Sequence, residues 1–247
     1  MHAAATSYGR AARHVISVLA AVAGCAMLAG CGAPAPTASY FPLDAGHRWV
    51  YDVKTEWENE IVEHEPLVLS TLGRETVGEH DTWRRRSDGG VDYFHRSDET
   101  GIFRVASKSD LDAEPVPDPA PRYVLKMPLA AGSSWQATTT AYLLKRRADF
   151  PREVRHSHPA VNMVYTIDAV GEAVDTRAGR FSDCLRVRGQ ASLRLFADPV
   201  AGWRDMPLTT TEWYCKGVGL VRLVREEPAR STFLSGGTLT MELIEWQ

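Results

Sequence analysis

The stretch WVYDVKTEW, residues 49–57, decides the fold. Trp49, Tyr51, Val53, Thr55 and Trp57 fall on one side of an extended chain, and Asp52, Lys54 and Glu56 on the other. Successive side chains of a strand point to opposite faces, so this alternation marks a strand with one buried and one wet face. The same period runs outward through the chain. DTWRRRSDGGVDYFHR (81–96) is two strands around Asp88-Gly89-Gly90, a hairpin signal, and HRSDETGIFRVAS (95–107) repeats it around SDETG. MVYTIDAVGEAV, DCLRVRGQASLRLF, LTTTEWYC, GLVRLVREE and GTLTMELIEW follow, rich in Val, Thr, Tyr, Phe and Trp and separated by Gly, Asp and Pro. No segment after residue 46 sustains a helical stripe beyond about two turns. The expectation is a mainly β protein, an antiparallel meander curled into a barrel, half-barrel or sandwich, because such sheets must bury one face.

Two internal echoes organise the strands. PLDAGHRW (42–49) returns as PLAAGSSW (128–135), and GIFRV (101–105) returns as GLVRL (219–223). Each copy opens with a turn into a tryptophan strand and closes with a strand begun by glycine. The pattern predicts one β-rich domain over 40–247 with pseudo-repeats at 40–107 and 125–225; the Pro-rich AEPVPDPAPR (113–122) falls between them as a linker. Chance recurrence of common turn residues is the competing reading. Proline fixes φ, glycine supplies a positive φ, and tryptophan begins the buried face, so the frame is a packing device; a sugar-binding platform is the alternative role for the tryptophans. If Trp49 and Trp135 are equivalent, both are buried, and their strands lie beside the Gly101 strand and the Gly219 strand respectively.

The N-terminus carries a different signal. Residues 1–14 hold Arg10 and Arg13 and no acid, and residues 15–30, VISVLAAVAGCAMLAG, are apolar or small apart from Ser17. That run is too short for a confident membrane-spanning helix, which needs about 20 apolar residues, and fits a secretory signal. Leu28-Ala29-Gly30-Cys31 resembles the bacterial lipobox, a resemblance that implies cleavage before Cys31 and acylation of its thiol and new amino terminus, with residues 31–39 as a flexible tether. VAGC, ending at Cys25, matches the same pattern, but cleavage there leaves a short apolar region and a greasy AMLAG on the mature chain. Several acyl chains, palmitate among them, each contributing about 0.8 kcal/mol per buried CH₂, make a stable anchor. Gly32 after the cysteine, where enterobacterial sorting would place Asp to retain a protein, implies the periplasmic face of an outer membrane in an organism with two membranes.

Loss of residues 1–30 removes two arginines and no acids, so the formal charge of the 247-residue chain moves from −3 to −5. This argues against nucleic acid as a partner, which requires a concentrated basic surface. Two cysteines remain beside Cys31: Cys184 and Cys215. Export permits a disulfide. Their strand parities, with Cys184 sharing a face with Arg186 and Arg188 and Cys215 with Trp213, suggest opposite sheet faces unless a bulge intervenes. A bridge and two free thiols both stay open.

YFPLDAGHRWVYDV and TEWYCKGVGLVRLV resemble the opening and closing signatures of a group of secreted and lipid-anchored bacterial proteins without assigned activity, and TRAGRFSDCLRV resembles that group's Ala-Gly-x-Phe segment. The resemblance spans most of 40–225 and implies a β-rich envelope domain and no particular chemistry.

Motifs for chemistry are missing. FLSGGTL around Ser235 lacks the Gly-x-Ser-x-Gly frame, and GVGLVR (217–222) is followed by a strand where a phosphate loop requires a helix. His156 and His158 in RHSHP share one side of an extended segment but find no companion ligands beyond Asp149 and Glu153. No catalytic residue, metal site or cofactor is assigned, and the ligand-binding residues are left unknown. The acidic TEWENEIVEHE (55–65) and basic KRRADFPREVRH (145–156) read as solvated tips or as complementary arms. Two functions remain: a non-catalytic envelope lipoprotein binding a partner protein or an apolar ligand, or an enzyme acting on envelope polymers through dispersed acids. An apolar cavity lined by tryptophans favours the first; two carboxylates about 5–9 Å apart in a cleft favour the second.

Overall fold

The computed structural model describes residues 39–147 and 160–247. The expected signal segment, Cys25, the acylated Cys31, the tether up to residue 38, and His156 and His158 with most of the basic arm lie outside the described residues. Within them the protein is all β, and no helix occurs. The strands are β1 (Arg48–Trp57), β2 (Val62–Val77), β3 (His80–Ser87), β4 (Asp92–Asp98), β5 (Gly101–Lys108), β6 (Val116–Lys126), β7 (Ser134–Thr139), β8 (Lys145–Arg146), β9 (Val161–Thr176), β10 (Gly179–Asp198), β11 (Gly202–Cys215), β12 (Gly219–Glu227), β13 (Leu234–Ser235) and β14 (Gly237–Trp246).

Twelve of them form one antiparallel sheet in the order β6-β5-β4-β3-β2-β1-β14-β12-β11-β10-β9-β7. The chain therefore lays down a six-strand meander, β1 to β6, and then a second one, β7-β9-β10-β11-β12-β14. The last strand of the second joins the first strand of the first, from Trp49↔Trp246 to Trp57↔Gly237. The short β8 and β13 pair separately. Turn chemistry sets the register. Gly101 and Gly219, which open β5 and β12, take φ of 143° and 96°, and a Cβ on Gly101 would lie 2.2 Å from the Leu125 carbonyl oxygen. Only glycine fits such a start.

The sheet curls until its edges, β6 and β7, face each other. No ladder joins them; the indole Nε1–H of Trp135 donates to the Tyr123 carbonyl at 3.3 Å across the seam. The stretch 113–122, expected to be a linker, instead supplies the first half of edge strand β6. Pro117, Pro119 and Pro121 alternate along it, so three backbone donors are missing from one side of the strand, and the β5–β6 register breaks between Arg104 and Ala106. The result is a barrel closed everywhere except at one proline-blunted seam.

Trp49 and Trp135 each stand one residue inside their strand and are buried, at 2% and 4% exposure. They are packing residues, and the sugar-platform reading fails on their burial. Their expected neighbours need correction. β1 lies between β2 and β14, and β7 pairs with β9, so neither tryptophan strand borders the glycine-started strand of its own half. In a meander the first strand of a run meets the other run, not its own fifth strand. Trp49 accordingly donates from Nε1 to the Val218 carbonyl at 2.7 Å, at the start of β12.

Two apolar clusters result. The larger is built from Met163, Ile167, Leu185, Val187, Leu195 and Leu208 of the second meander, with Ile102 and Leu125 of the first. Phe41 and Leu43, just before β1, join it from the end where the described chain begins and Gly217 donates to the Ser39 carbonyl. The smaller holds Trp49, Tyr51, Val221, Met241 and Leu243 together with Cys184 and Cys215. The two cysteines are directly opposite each other on β10 and β11 and are joined by a disulfide. The β10–β11 ladder runs without a bulge from Cys184↔Cys215 through Arg186↔Trp213, so the two cysteines share one face with both of those residues. Strand parity holds here; what misleads is Trp213, which stands on the arginine face, where its Nε1–H and Arg186 both donate to Glu172.

Candidate functional site

The barrel holds a partly open cavity of about 340 Å³. Its wall is drawn from nearly the whole circumference: Tyr51 of β1, Leu69 of β2, Arg85 of β3, Tyr93 and His95 of β4, Arg104 of β5, and Arg122 of β6 close one half. Tyr165 of β9, Glu212 and Tyr214 of β11 and Leu220 of β12 close the other, and Phe41 and Tyr142 reach in from outside the sheet. Tyrosine dominates, and no tryptophan lines the space among the described residues.

Three consecutive arginines on β3 show how the sequence builds this site. Arg84 and Arg86 face outward onto Asp92: Arg84 grips its carboxylate with Nε and Nη2 at 2.9 and 2.8 Å, and Arg86 Nη1 adds a third contact at 2.9 Å. Arg85, between them, must point the other way, into the barrel. It is 7% exposed, has no carboxylate partner, and donates from Nη2 to the Pro42 carbonyl at 2.7 Å. The rings of Phe41 and Trp49 lie 4.0 and 4.3 Å from its guanidinium carbon, a cation–π sandwich that replaces part of the lost hydration. Its buried Nε–H makes no hydrogen bond. Burial lowers its pKa to about 10, so it stays charged at neutral pH.

Arg104 differs, because Asp118 accepts both its Nε–H and Nη2–H and neutralises it. Arg122 has no such partner; its side chain bonds the Tyr142 hydroxyl. His95 is 5% exposed, packs its ring 5.2 Å from Phe41, and leaves Nδ1 without a partner. Burial, reinforced by Arg85 and Arg104, pushes its pKa well below the ordinary value, so the imidazole is neutral. Glu212 accepts from the Tyr214 hydroxyl at 2.6 Å and the Thr210 hydroxyl at 3.2 Å, and burial raises its pKa. The cavity wall thus carries Arg85, with no carboxylate bonded to it, and Arg122, with Asp118 near but no salt bridge, against one acid whose pKa burial raises.

One end is shaped by a strap, residues 140–144. Glu227, fully buried on β12, accepts from the backbone N–H groups of Tyr142, Leu143 and Leu144 at 2.9, 2.7 and 3.1 Å. Arg225 bonds the same carboxylate through Nε, reaches the Thr140 carbonyl with Nη2 at 2.7 Å, and stacks 4.2 Å from the Tyr142 ring. This buried pair fixes Tyr142 over the cavity. A second cavity of about 320 Å³ lies along the seam between β6 and β7 and shares Arg104 and Arg122 with the first.

The residues singled out in the sequence are elsewhere. Cys31 lies outside the described residues, and the Cys184–Cys215 bridge belongs to the smaller core rather than to the cavity wall. Neither criterion set for function is met as framed: the cavity is lined by tyrosine and arginine instead of tryptophan, and it presents one carboxylate, Glu212, where glycoside hydrolysis needs a pair. Among the described residues, no group of three or more His, Cys, Asp or Glu side chains is placed to hold a metal ion. The acidic β1–β2 tip is tied down: Glu58 accepts from the backbone N–H groups of Ala229 and Arg230, and Lys145 sits 5.3 Å from the Trp57 ring.

No protein-family profile matches the chain, and no curated protein matches it. Among solved structures, it is similar to a candidate lipoprotein from Parabacteroides distasonis ATCC 8503, with a TM-score of 0.44 and 15% identity over 85% of this chain and 99% of the other. It is also similar to a candidate exported protein with a YmcC-like fold from Bacteroides fragilis NCTC 9343, with a TM-score of 0.37 and 13% identity over the same shares of the two chains.

Proposed function

We propose that this chain is a lipid-anchored protein of the bacterial cell envelope, acylated at Cys31, and that its barrel is a non-catalytic binding module for a small ligand with an apolar or aromatic body. The observation that carries the binding half is the partly open, tyrosine-rich cavity walled by strands from both meanders. A pocket that is largely preformed, with few polar groups at fixed places, is the usual form of a small-molecule site. The anchoring half rests on Leu28-Ala29-Gly30-Cys31 behind an apolar run. The order of the two six-strand runs supports reading the domain as a pseudo-repeat; the runs extend past 107 and 225 to take in β6 and β14.

The test of the anchor is metabolic labelling with radioactive palmitate in a bacterial host. The wild-type chain takes up label and Cys31→Ala does not, accumulating instead as uncleaved precursor. Label that persists in Cys31→Ala and vanishes in Cys25→Ala moves the anchor to Cys25, and label in neither overturns it. The enzymatic alternative, action on envelope polymers through dispersed acids, would require Glu212 to work with a second carboxylate brought by the substrate or by a rearranged loop.

A further inference from the structure

The cavity is more specific than a greasy hole, and resting on the binding reading above, we propose that it selects an organic anion: a carboxylate carried on an aromatic or short apolar body, its head held by Arg85 and Arg122.

Buried charges in proteins are ordinarily paired with an opposite charge, because removing an ion from water is costly. The outer face of this sheet obeys that rule. Arg84 and Arg86 share Asp92, and Arg186 has both Asp168 and Glu172. Arg104 at the cavity wall obeys it too, through Asp118. Arg85 does not. It is the most enclosed arginine of the wall, it is held rigid between two aromatic rings, and its Nε–H is left without an acceptor. Arg122 enters the same space bonded to a phenol rather than to an acid. Neither forms a salt bridge: Asp118 and Glu212 act on Arg122 only from a distance, and Glu212, the single carboxylate of the wall, has its oxygens turned to the Tyr214 and Thr210 hydroxyls.

The chemistry that completes such a site is an anion. A guanidinium presents planar, parallel N–H donors that match a carboxylate, and in a low-dielectric enclosure this contact is strong. The body of the ligand is set by the rest of the wall. Tyr51, Tyr93, Tyr165 and Tyr214 with Leu69 and Leu220 offer ring faces and aliphatic carbon. A volume of about 340 Å³ takes a bicyclic aromatic acid. His95, neutral and with a free Nδ1, adds one short-range polar contact without adding charge. Arg122 also borders the seam cavity, so the anion meets a cation both where the β6–β7 gap leads inward and at the Arg85 end.

The experiment is isothermal titration of the full, lipidated protein in matched detergent with two probes of equal shape, naphthalene-2-carboxylate and the neutral 2-naphthamide. The expected result is one site per chain, with the carboxylate bound at least ten times more tightly than the amide. Arg122→Gln and Arg85→Met each erase most of that preference, read as the ratio of carboxylate to amide affinity within the same variant. Equal binding of the two probes to wild type overturns the anion inference while the cavity reading stands. Binding of neither overturns both. Arg85 is packed inside the core, so if Arg85→Met fails to fold, Arg122→Gln, which is only half-buried, decides the matter: an unchanged preference in that variant refutes the assignment.

Discussion

Removing the carboxylate of Glu227 tests how the barrel holds its strap. The side chain is fully buried and serves four donors: three consecutive backbone N–H groups of residues 142–144 and the guanidinium of Arg225. In Glu227→Ala, Arg225, itself 4% exposed, keeps a carbonyl and a hydroxyl but loses its counter-charge. Breaking a buried ion pair by deleting one partner costs about 3–5 kcal/mol. Each buried amide stripped of its acceptor costs about 1–3 kcal/mol, but the three are adjacent and a water can enter the vacated space, so these costs do not add in full. The expected loss is therefore about 4–6 kcal/mol, a large part of the roughly 5–15 kcal/mol that holds a domain. Glu227→Gln keeps the shape and one carbonyl acceptor and loses the charge; it is expected to fall about midway. Urea unfolding followed by tryptophan fluorescence and by circular dichroism gives both values, with the slope checked for two-state behaviour. A loss below about 1 kcal/mol in Glu227→Ala, with an unchanged slope, refutes the claim that this carboxylate organises the strap.

Two further outcomes follow from the packing and charge described above. Trp49→Ala and Trp135→Ala are each expected to cost about 3–5 kcal/mol in the same urea assay, the usual penalty for emptying a large aromatic site; losses below about 1 kcal/mol at both would make them surface residues. His95 gives stability a pH dependence of known sign. Its folded pKa is depressed below the ordinary 6.5, so the unfolded chain takes up the proton first and stability falls as pH drops below 6.5, by up to about 1.4 kcal/mol per pH unit. The cations facing it are Arg85, Arg104 and Arg122, with the Phe41 ring tilted at 52° against it. Glu212, whose folded pKa is raised, contributes stability that is complete below 4.5 and is lost as pH rises through its folded value, the opposite sign. The slope of His95 is thus read as the difference between wild type and His95→Phe from pH 7 to 5, and identical slopes in the two proteins would contradict a buried neutral imidazole.

The strands were legible because each carries its own alternation. WVYDVKTEW became β1, DTWRRRSDGGVDYFHR became the β3–β4 hairpin, and GTLTMELIEW became β14 with its bounds intact. The edge at β6 was not legible, since prolines that signal a linker in isolation are equally at home on a strand with no partner. The cavity was the least visible part. Within Arg84-Arg85-Arg86 nothing but the period-two rule, applied residue by residue, sets Arg85 apart. Even then nothing local says that the acids able to neutralise it are absent from the far wall, because that wall is β9, β11 and β12, more than seventy residues later. The disulfide was obscured by Trp213, whose ring suggests a buried face although it stands beside Arg186, its cross-strand partner, and donates to Glu172.

The seam gives this barrel a mechanical property that sealed barrels lack. In a sealed cylinder the girth is set by strand number and stagger, and changing it means breaking a whole ladder. Here the sheet is a cuff, sewn along every join but one, and that one is held by side chains alone: the indole hydrogen bond from Trp135 to Tyr123 and the packing of Leu125 against the second meander. A bond of this kind contributes on the order of 1 kcal/mol net. Opening the cuff breaks no ladder and leaves every strand its partners, but it must part the Trp135 bond together with the apolar core that Leu125 shares with the second meander.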